Sequence, residues 1–131
     1  MRPLQLLLIE DDVDSGEAMS LLLRSEGIHV DWARTGREAI DIFRAVNGGP
    51  AIDVILLDLM LPDMDGSVLI EHLRRIRPTP SIVIHSAAGQ AEVFDRGRQL
   101  GAAAVLRKPT DWTELRGILF ACRPSEVARE H

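Results

Sequence analysis

What the 131-residue chain lacks narrows its class before anything it contains. There is one cysteine, Cys122, so no disulfide can close within the chain and no CxxC or Cys/His pair at zinc spacing exists. Cys122 is expected to be a small buried apolar residue. There is no basic run: fifteen Lys and Arg are scattered among twenty Asp and Glu, giving a formal net charge of -5. Autonomous nucleic-acid binding is disfavoured by that balance. There is no long hydrophobic run either. The stretch Leu6 to Ile9 is too short for a signal-peptide core or a membrane span and is followed at once by acids. A cytoplasmic protein without membrane contact is therefore expected. No repeat of 20 to 50 residues and no low-complexity segment recurs, and neither a Gly-x-x-x-x-Gly-Lys loop nor a Gly-x-Gly-x-x-Gly turn is present.

What remains is an ordinary globular composition, 46% hydrophobic and 27% charged. A single domain of this length buries about two thirds of the surface its unfolded form exposes, enough for a core without disulfides or structural metal. Short apolar runs occur at Leu4 to Ile9, Ile52 to Leu57, Ile82 to Ile84 and Ala102 to Leu106. Strands without alternation are buried on both faces, as in a parallel sheet covered by helices. Ile28, Val30 and Trp32 alternate with His29 and Asp31, which fits a strand nearer an edge. Between these runs lie helical spacings introduced by capping signals: Asp14 before Glu17, Thr35 before Glu38 and Asp111 before Glu114. Apolar residues follow at three and four spacing: Ala18, Leu21, Leu22; Ala39, Ile42, Phe43, Val46; Leu69, Leu73, Ile76; and Leu115, Ile118, Leu119, Cys122. Gly27 and Gly101 stand where left-handed C-caps would end helices, and Pro78 and Pro80 stop the helix that starts near Gly66.

Five strand-helix units in series predict an α/β fold, a doubly wound five-stranded parallel sheet with five helices. Chemistry in such a sheet gathers beyond the carboxyl ends of the strands, where strand order reverses. Those ends carry Asp11 and Asp12, then Asp58, then Ser86, then Lys108 with Pro109. Taken singly, each also fits a capping, turn or loop role; together they form a specific set. Three carboxylates at one edge repel one another unless a cation neutralises them. Hard oxygen donors with positions left for water suit Mg²⁺. A lysine and a hydroxyl beside them suit the oxygens of a transferring phosphoryl group.

The stretches Leu7-Leu8-Ile9-Glu10-Asp11-Asp12, Asp53 to Gly66, His85-Ser86-Ala87 and Lys108-Pro109 resemble the response-regulator receiver domains of two-component signalling. The resemblance implies a flavodoxin-like strand order 2-1-3-4-5, with a receiver at residues 1–123 and a short polar tail at residues 124–131. It implies that Asp58 is the phosphoacceptor, charged by a sensor histidine kinase, a histidine phosphotransfer protein or a small phosphodonor. Asp12 and Asp58 would hold Mg²⁺, with Mn²⁺ as the alternative ion, together with the backbone carbonyl of Met60, and Asp11 would act through water. Lys108 and Ser86 would contact phosphoryl oxygens, and the Lys-Pro bond is commonly cis in this family. These roles agree with what phosphoryl transfer demands, namely in-line positioning and neutralisation of the equatorial oxygens.

Three positions depart from the family pattern. Val105 stands where an aromatic ring often turns inward three residues before the lysine, so Ser86 and the following loop, Ala87 to Gln90, are expected to carry the switch without it. Met60 and Ala88, each two residues beyond a site residue, tune phosphoryl lifetime in the family; neither can orient an attacking water, so slow self-dephosphorylation is expected. After Arg123 only eight residues follow, so output is expected by docking of a downstream protein or domain on the fourth helix, fifth strand and fifth helix. Arg96, Arg98 and Arg107 are candidates for that face or ordinary solvated charges. A monomer or a phosphorylation-dependent dimer fits. The rival readings are an Asp-based Mg²⁺ phosphohydrolase, disfavoured because Met60 replaces the second Asp that such enzymes resemble each other in having, a pseudo-receiver that has lost phosphorylation, and a receiver cut from a hybrid kinase or other multidomain protein that acts as shuttle or sink.

Overall fold

A computed structural model describes residues 2–45, 51–87 and 91–123. Five strands alternate with five helices: β1 (Gln5–Ile9), α1 (Val13–Ser25), β2 (His29–Ala33), α2 (Gly36–Ala45), β3 (Val54–Leu57), α3 (Gly66–Ile76), β4 (Ser81–Ser86), α4 (Ala91–Gln99), β5 (Ala104–Arg107) and α5 (Trp112–Ala121). All pairings are parallel, in the order β2-β1-β3-β4-β5. The expected architecture and strand order are both present.

The unbroken apolar runs are explained by burial on two faces. Leu7 and Ile9 of β1, Ile55 and Leu57 of β3 and Ile84 of β4 meet Ala39, Ile40 and Phe43 of α2 and Leu69, Ile70 and Leu73 of α3. Their neighbours Leu6, Leu8, Val54, Leu56 and Val83 point the other way, onto Leu23 of α1 and Leu115 and Leu119 of α5. Each such side chain contributes about 1.5–3 kcal/mol relative to exposure, and only a strand apolar at every position supplies both layers. Outermost β2 is half-buried in part, as its alternation predicts.

Helix ends follow local chemistry with one correction. Thr35 Oγ1 accepts the Glu38 amide at 3.0 Å, and Asp111 accepts the amides of Thr113 and Glu114. The Glu38 carboxylate reaches back to the Arg34 amide at 2.8 Å, one residue before the expected cap. The cap of α1, by contrast, is Asp12 and not Asp14: its extended backbone ends the loop from β1, and its carboxylate accepts the Ser15 amide at 2.8 Å. Asp14 falls in the first turn, where a negative charge favours the helix dipole. Gly27 and Gly101 have φ of 79° and 78°, the left-handed conformation that ends α1 and α4. Val46 and the segment 124–131 lie outside the described residues.

Candidate functional site

Register brings the site together. Ile9 pairs with Leu57, and Leu57 with Ile84, so β1 and β3 end level with one another while β4 runs on beside them to Ser86. The next residue on each is polar and buried: Glu10, Asp58 and His85 are 1%, 6% and 2% exposed. Ser86 follows at the end of β4, and the backbone amide of Lys108 donates to its carbonyl at 2.9 Å. The Lys108-Pro109 bond is cis.

The carboxylate of Asp58 is held from two sides. One oxygen accepts the Met60 amide at 2.9 Å and the other accepts the Lys108 ammonium at 3.0 Å. Lys108 also donates to Glu10, whose other oxygen accepts the Asp12 amide at 3.3 Å. Burial works against the charge of Lys108, but its hydrogen bonds to Glu10 and Asp58 outweigh that and hold its pKa above the ordinary lysine value. Burial pushes Glu10 above the usual carboxylate range, an effect that Lys108 only partly offsets. Oxygens of Glu10, Asp11 and Asp58 all lie within 4.8 Å of one another. Asp11 is exposed and opens the cluster to a cleft of about 670 Å³ that Asp58 to Asp65 also line.

Asp11, Asp58, Ser86 and Lys108 are thus at one edge, as expected. Asp12 is not in the cluster. Its carboxylate is spent on the cap of α1, where hydrogen bonding from Ser15 holds its pKa below the usual range. The third carboxylate is instead Glu10, which the sequence reading did not single out. A signal for it existed: Glu10 follows the last apolar residue of β1 as Asp58 follows that of β3, so the two acids share a row. The backbone of Met60 closes an isolated bridge to Asp65 and its side chain is exposed. Val105 is half-buried against the core cluster over α2 and α3. Ala88 lies outside the described residues. The three arginines suggested for an output face have intramolecular partners: Arg96 binds Asp65 and Ser67, Arg98 lies 3.6 Å from Asp95, and Arg107 stacks 5.4 Å from the centre of the Phe94 ring.

Comparison with known proteins bears on the family and the fold. The family model described as response regulator receiver domain matches residues 6–120. The chain is 29% identical over 110 residues to the chemotaxis protein CheY of Treponema pallidum, covering 83% of this chain and 75% of that protein. It is 34% identical over 113 residues to the transcriptional regulatory protein CpxR homolog of Haemophilus influenzae, covering 85% of this chain but 46% of that one. It therefore spans less than half the length of that relative. Among solved structures, the CheX-CheY-BeF3-Mg²⁺ complex of Borrelia burgdorferi superposes with a TM-score of 0.81 at 23% identity, over 92% of this chain and 89% of the other, which speaks to the fold. No helix among the described residues is long and apolar enough to cross a membrane. With five parallel strands in the order 2-1-3-4-5 and acids and a lysine at their carboxyl ends, the chain belongs to the response regulator receiver domains of two-component signalling.

Proposed function

We propose that this receiver accepts a phosphoryl group on Asp58, with a divalent cation, from a phosphohistidine on a sensor kinase or phosphotransfer protein. The observation that carries it is the gathering of Glu10, Asp11 and Asp58 oxygens within 4.8 Å, with the Lys108 ammonium 3.0 Å from Asp58. Hard oxygen donors in a partly open cleft fit Mg²⁺, or Mn²⁺ in its place. Asp11 and Asp58, with the Met60 carbonyl, would hold the ion, and Glu10 would hold Lys108. When bound, the ion supplies positive charge that offsets the oxygens of the incoming group.

In the transfer itself a bond forms between an Asp58 oxygen and phosphorus as the donor's phosphorus-nitrogen bond breaks, and the released imidazole is left to take up a proton. Lys108 neutralises a phosphoryl oxygen, and the Ser86 hydroxyl binds another, which biases the β4-α4 loop toward a second arrangement. Val105 leaves that switch without a turning ring. The altered face would be α4, β5 and α5, read by a downstream protein or domain in the cytoplasm, by a monomer or a phosphorylation-dependent dimer. The acidic net charge supports a protein partner over direct nucleic-acid contact for this domain. The domain is a phosphoacceptor, and Met60 stands where a phosphohydrolase would need an acid.

The test is incubation with acetyl phosphate and Mg²⁺ followed by intact mass. Wild type gains one phosphoryl mass, and Asp58→Ala and EDTA-treated protein gain none. A gain that persists in Asp58→Ala, or none in wild type, refutes the reading.

A further inference from the structure

We infer that Trp32 is a positioning residue for the acidic loop, fixing the Glu10-Asp11 peptide from a neighbouring strand. The inference rests on the cation site read under the proposed function and adds a residue to it. In the β1-β2 ladder the Glu10 amide donates to the Ala33 carbonyl at 3.0 Å, but β2 then gives way to the turn into α2. The Glu10 carbonyl, next in that ladder, takes its hydrogen bond from a side chain instead: the indole Nε1-H of Trp32 at 2.9 Å. The carbonyl belongs to the peptide that joins the two acids of the cluster, so its direction sets where the Asp11 backbone begins.

The ring reaches that carbonyl only because the first turns of α1 make room. Gly16 is buried in α1, and a Cβ placed there would lie 2.0 Å from Trp32 Cζ2 and 2.3 Å from Cε2. No real contact is that close, so the indole occupies the volume of the missing side chain. Trp32 therefore touches both sides of the acidic loop, the strand residue that enters it through a hydrogen bond and the helix that leaves it through packing. A half-buried indole N-H ordinarily finds some acceptor, so it is the identity of the acceptor that matters. The hydrogen bond to the peptide between two cluster acids is what assigns it to the site.

Trp32→Phe keeps a ring over Gly16 and removes only the N-H. Loss of one hydrogen bond to the loop weakens Mg²⁺ binding by about threefold to tenfold, measured by isothermal titration, while urea unfolding shows the fold intact. The unaltered protein gives a second readout that needs no variant. In ¹⁵N spectra the Trp32 indole resonance moves on Mg²⁺ addition and returns with EDTA, and the Trp112 indole, at the start of α5, stays still. Trp112→Phe assigns the two. Equal Mg²⁺ affinity in a folded Trp32→Phe overturns the inference, whatever the resonance does. If that variant fails to fold, the resonance decides, and a static Trp32 signal overturns it while the amides of Asp11 and Asp58 shift. If Mg²⁺ moves nothing in wild type, the cation site itself fails and the inference falls with it.

Discussion

His85 offers a sharp test of how the site is built. It is 2% exposed, and neither ring nitrogen has a hydrogen-bond partner among the described residues. Burial lowers its pKa from 6.5 to about 4; the nearby Lys108 charge acts in the same direction and Asp58 opposes it. The folded state therefore holds His85 neutral, while the unfolded chain takes up a proton below about pH 6.5. Between pH 6.5 and 4 the unfolded state binds more protons, so stability falls as pH falls. The contribution is fully present above about 6.5 and gone below about 4, and a difference of this size corresponds to about 3 kcal/mol. Against a total of roughly 5–15 kcal/mol for a small domain, that is a large share.

The perturbation is His85→Leu, read by urea unfolding at pH 7.5, 6.5, 5.5 and 4.5. At pH 7.5 the variant loses no hydrogen bond and removes two unpartnered polar atoms from the core, so it is as stable as wild type or more so, by up to about 1–3 kcal/mol. As pH falls the gap widens toward a further 3 kcal/mol or so, because only wild type must strip a proton from its histidine to fold. Carboxylates titrate in both proteins and largely cancel in the difference. A gap that stays constant from pH 7.5 to 4.5 would refute the assignment of a neutral, isolated imidazole. So would a variant strongly destabilised at pH 7.5, since that would mean His85 makes a bond the geometry does not show.

Two further outcomes separate roles that lie close together in sequence. Asp12→Ala loses the cap of α1 and about 1 kcal/mol of stability by thermal or urea unfolding, while Mg²⁺ affinity stays within about twofold; Asp11→Asn does the reverse, weakening Mg²⁺ binding tenfold or more with little change in unfolding. Replacing Met60 by Asn and Ala88 by Glu shortens the lifetime of phosphorylated Asp58, followed as loss of phosphoryl mass with time; equal decay before and after the change would remove both residues as determinants of lifetime.

The fold was readable because its strands are buried on both faces, which leaves unbroken apolar runs that few other arrangements produce. The acidic row was readable only in part. Three consecutive acids, Glu10, Asp11 and Asp12, differ in nothing that composition records, and which two face Asp58 depends on where β1 stops. Ile9 is the last residue to pair, so Glu10 and Asp11 enter the cluster and Asp12, with an extended backbone, is free to cap α1. The Asp14 cap failed for the same reason: an Asp three residues before Glu17 matches a capping box, but the loop is too short to delay the helix. Trp32 and Gly16 carry no joint signal along the chain, since sixteen residues separate them and only the β1-β2 pairing brings the indole over the helix. Arg96 is similar, because its partners Asp65 and Ser67 lie on a different helix and its cap.

The position of Glu10 also changes what Lys108 is for. A lysine facing one carboxylate would follow that carboxylate wherever its charge went. Lys108 is divided between Asp58, which would gain charge on the proposed phosphorylation, and Glu10, which would not. In the resting arrangement the ammonium neutralises two buried acids that would otherwise repel each other, with burial already pushing Glu10 toward its protonated form. If Asp58 takes up a phosphoryl group as proposed, the added negative charge would draw Lys108 toward the new oxygens and leave Glu10 with less of it. A cation would then favour the phosphoryl group for an electrostatic reason, since its charge would compensate the acid that the lysine has left. On this basis Glu10→Gln raises the affinity of Lys108 for the phosphoryl group but lowers that of the site for Mg²⁺. Phosphorylation of the variant at saturating Mg²⁺ equals or exceeds wild type, and at limiting Mg²⁺ it falls behind; identical Mg²⁺ dependence in the two proteins would show that Glu10 takes no part.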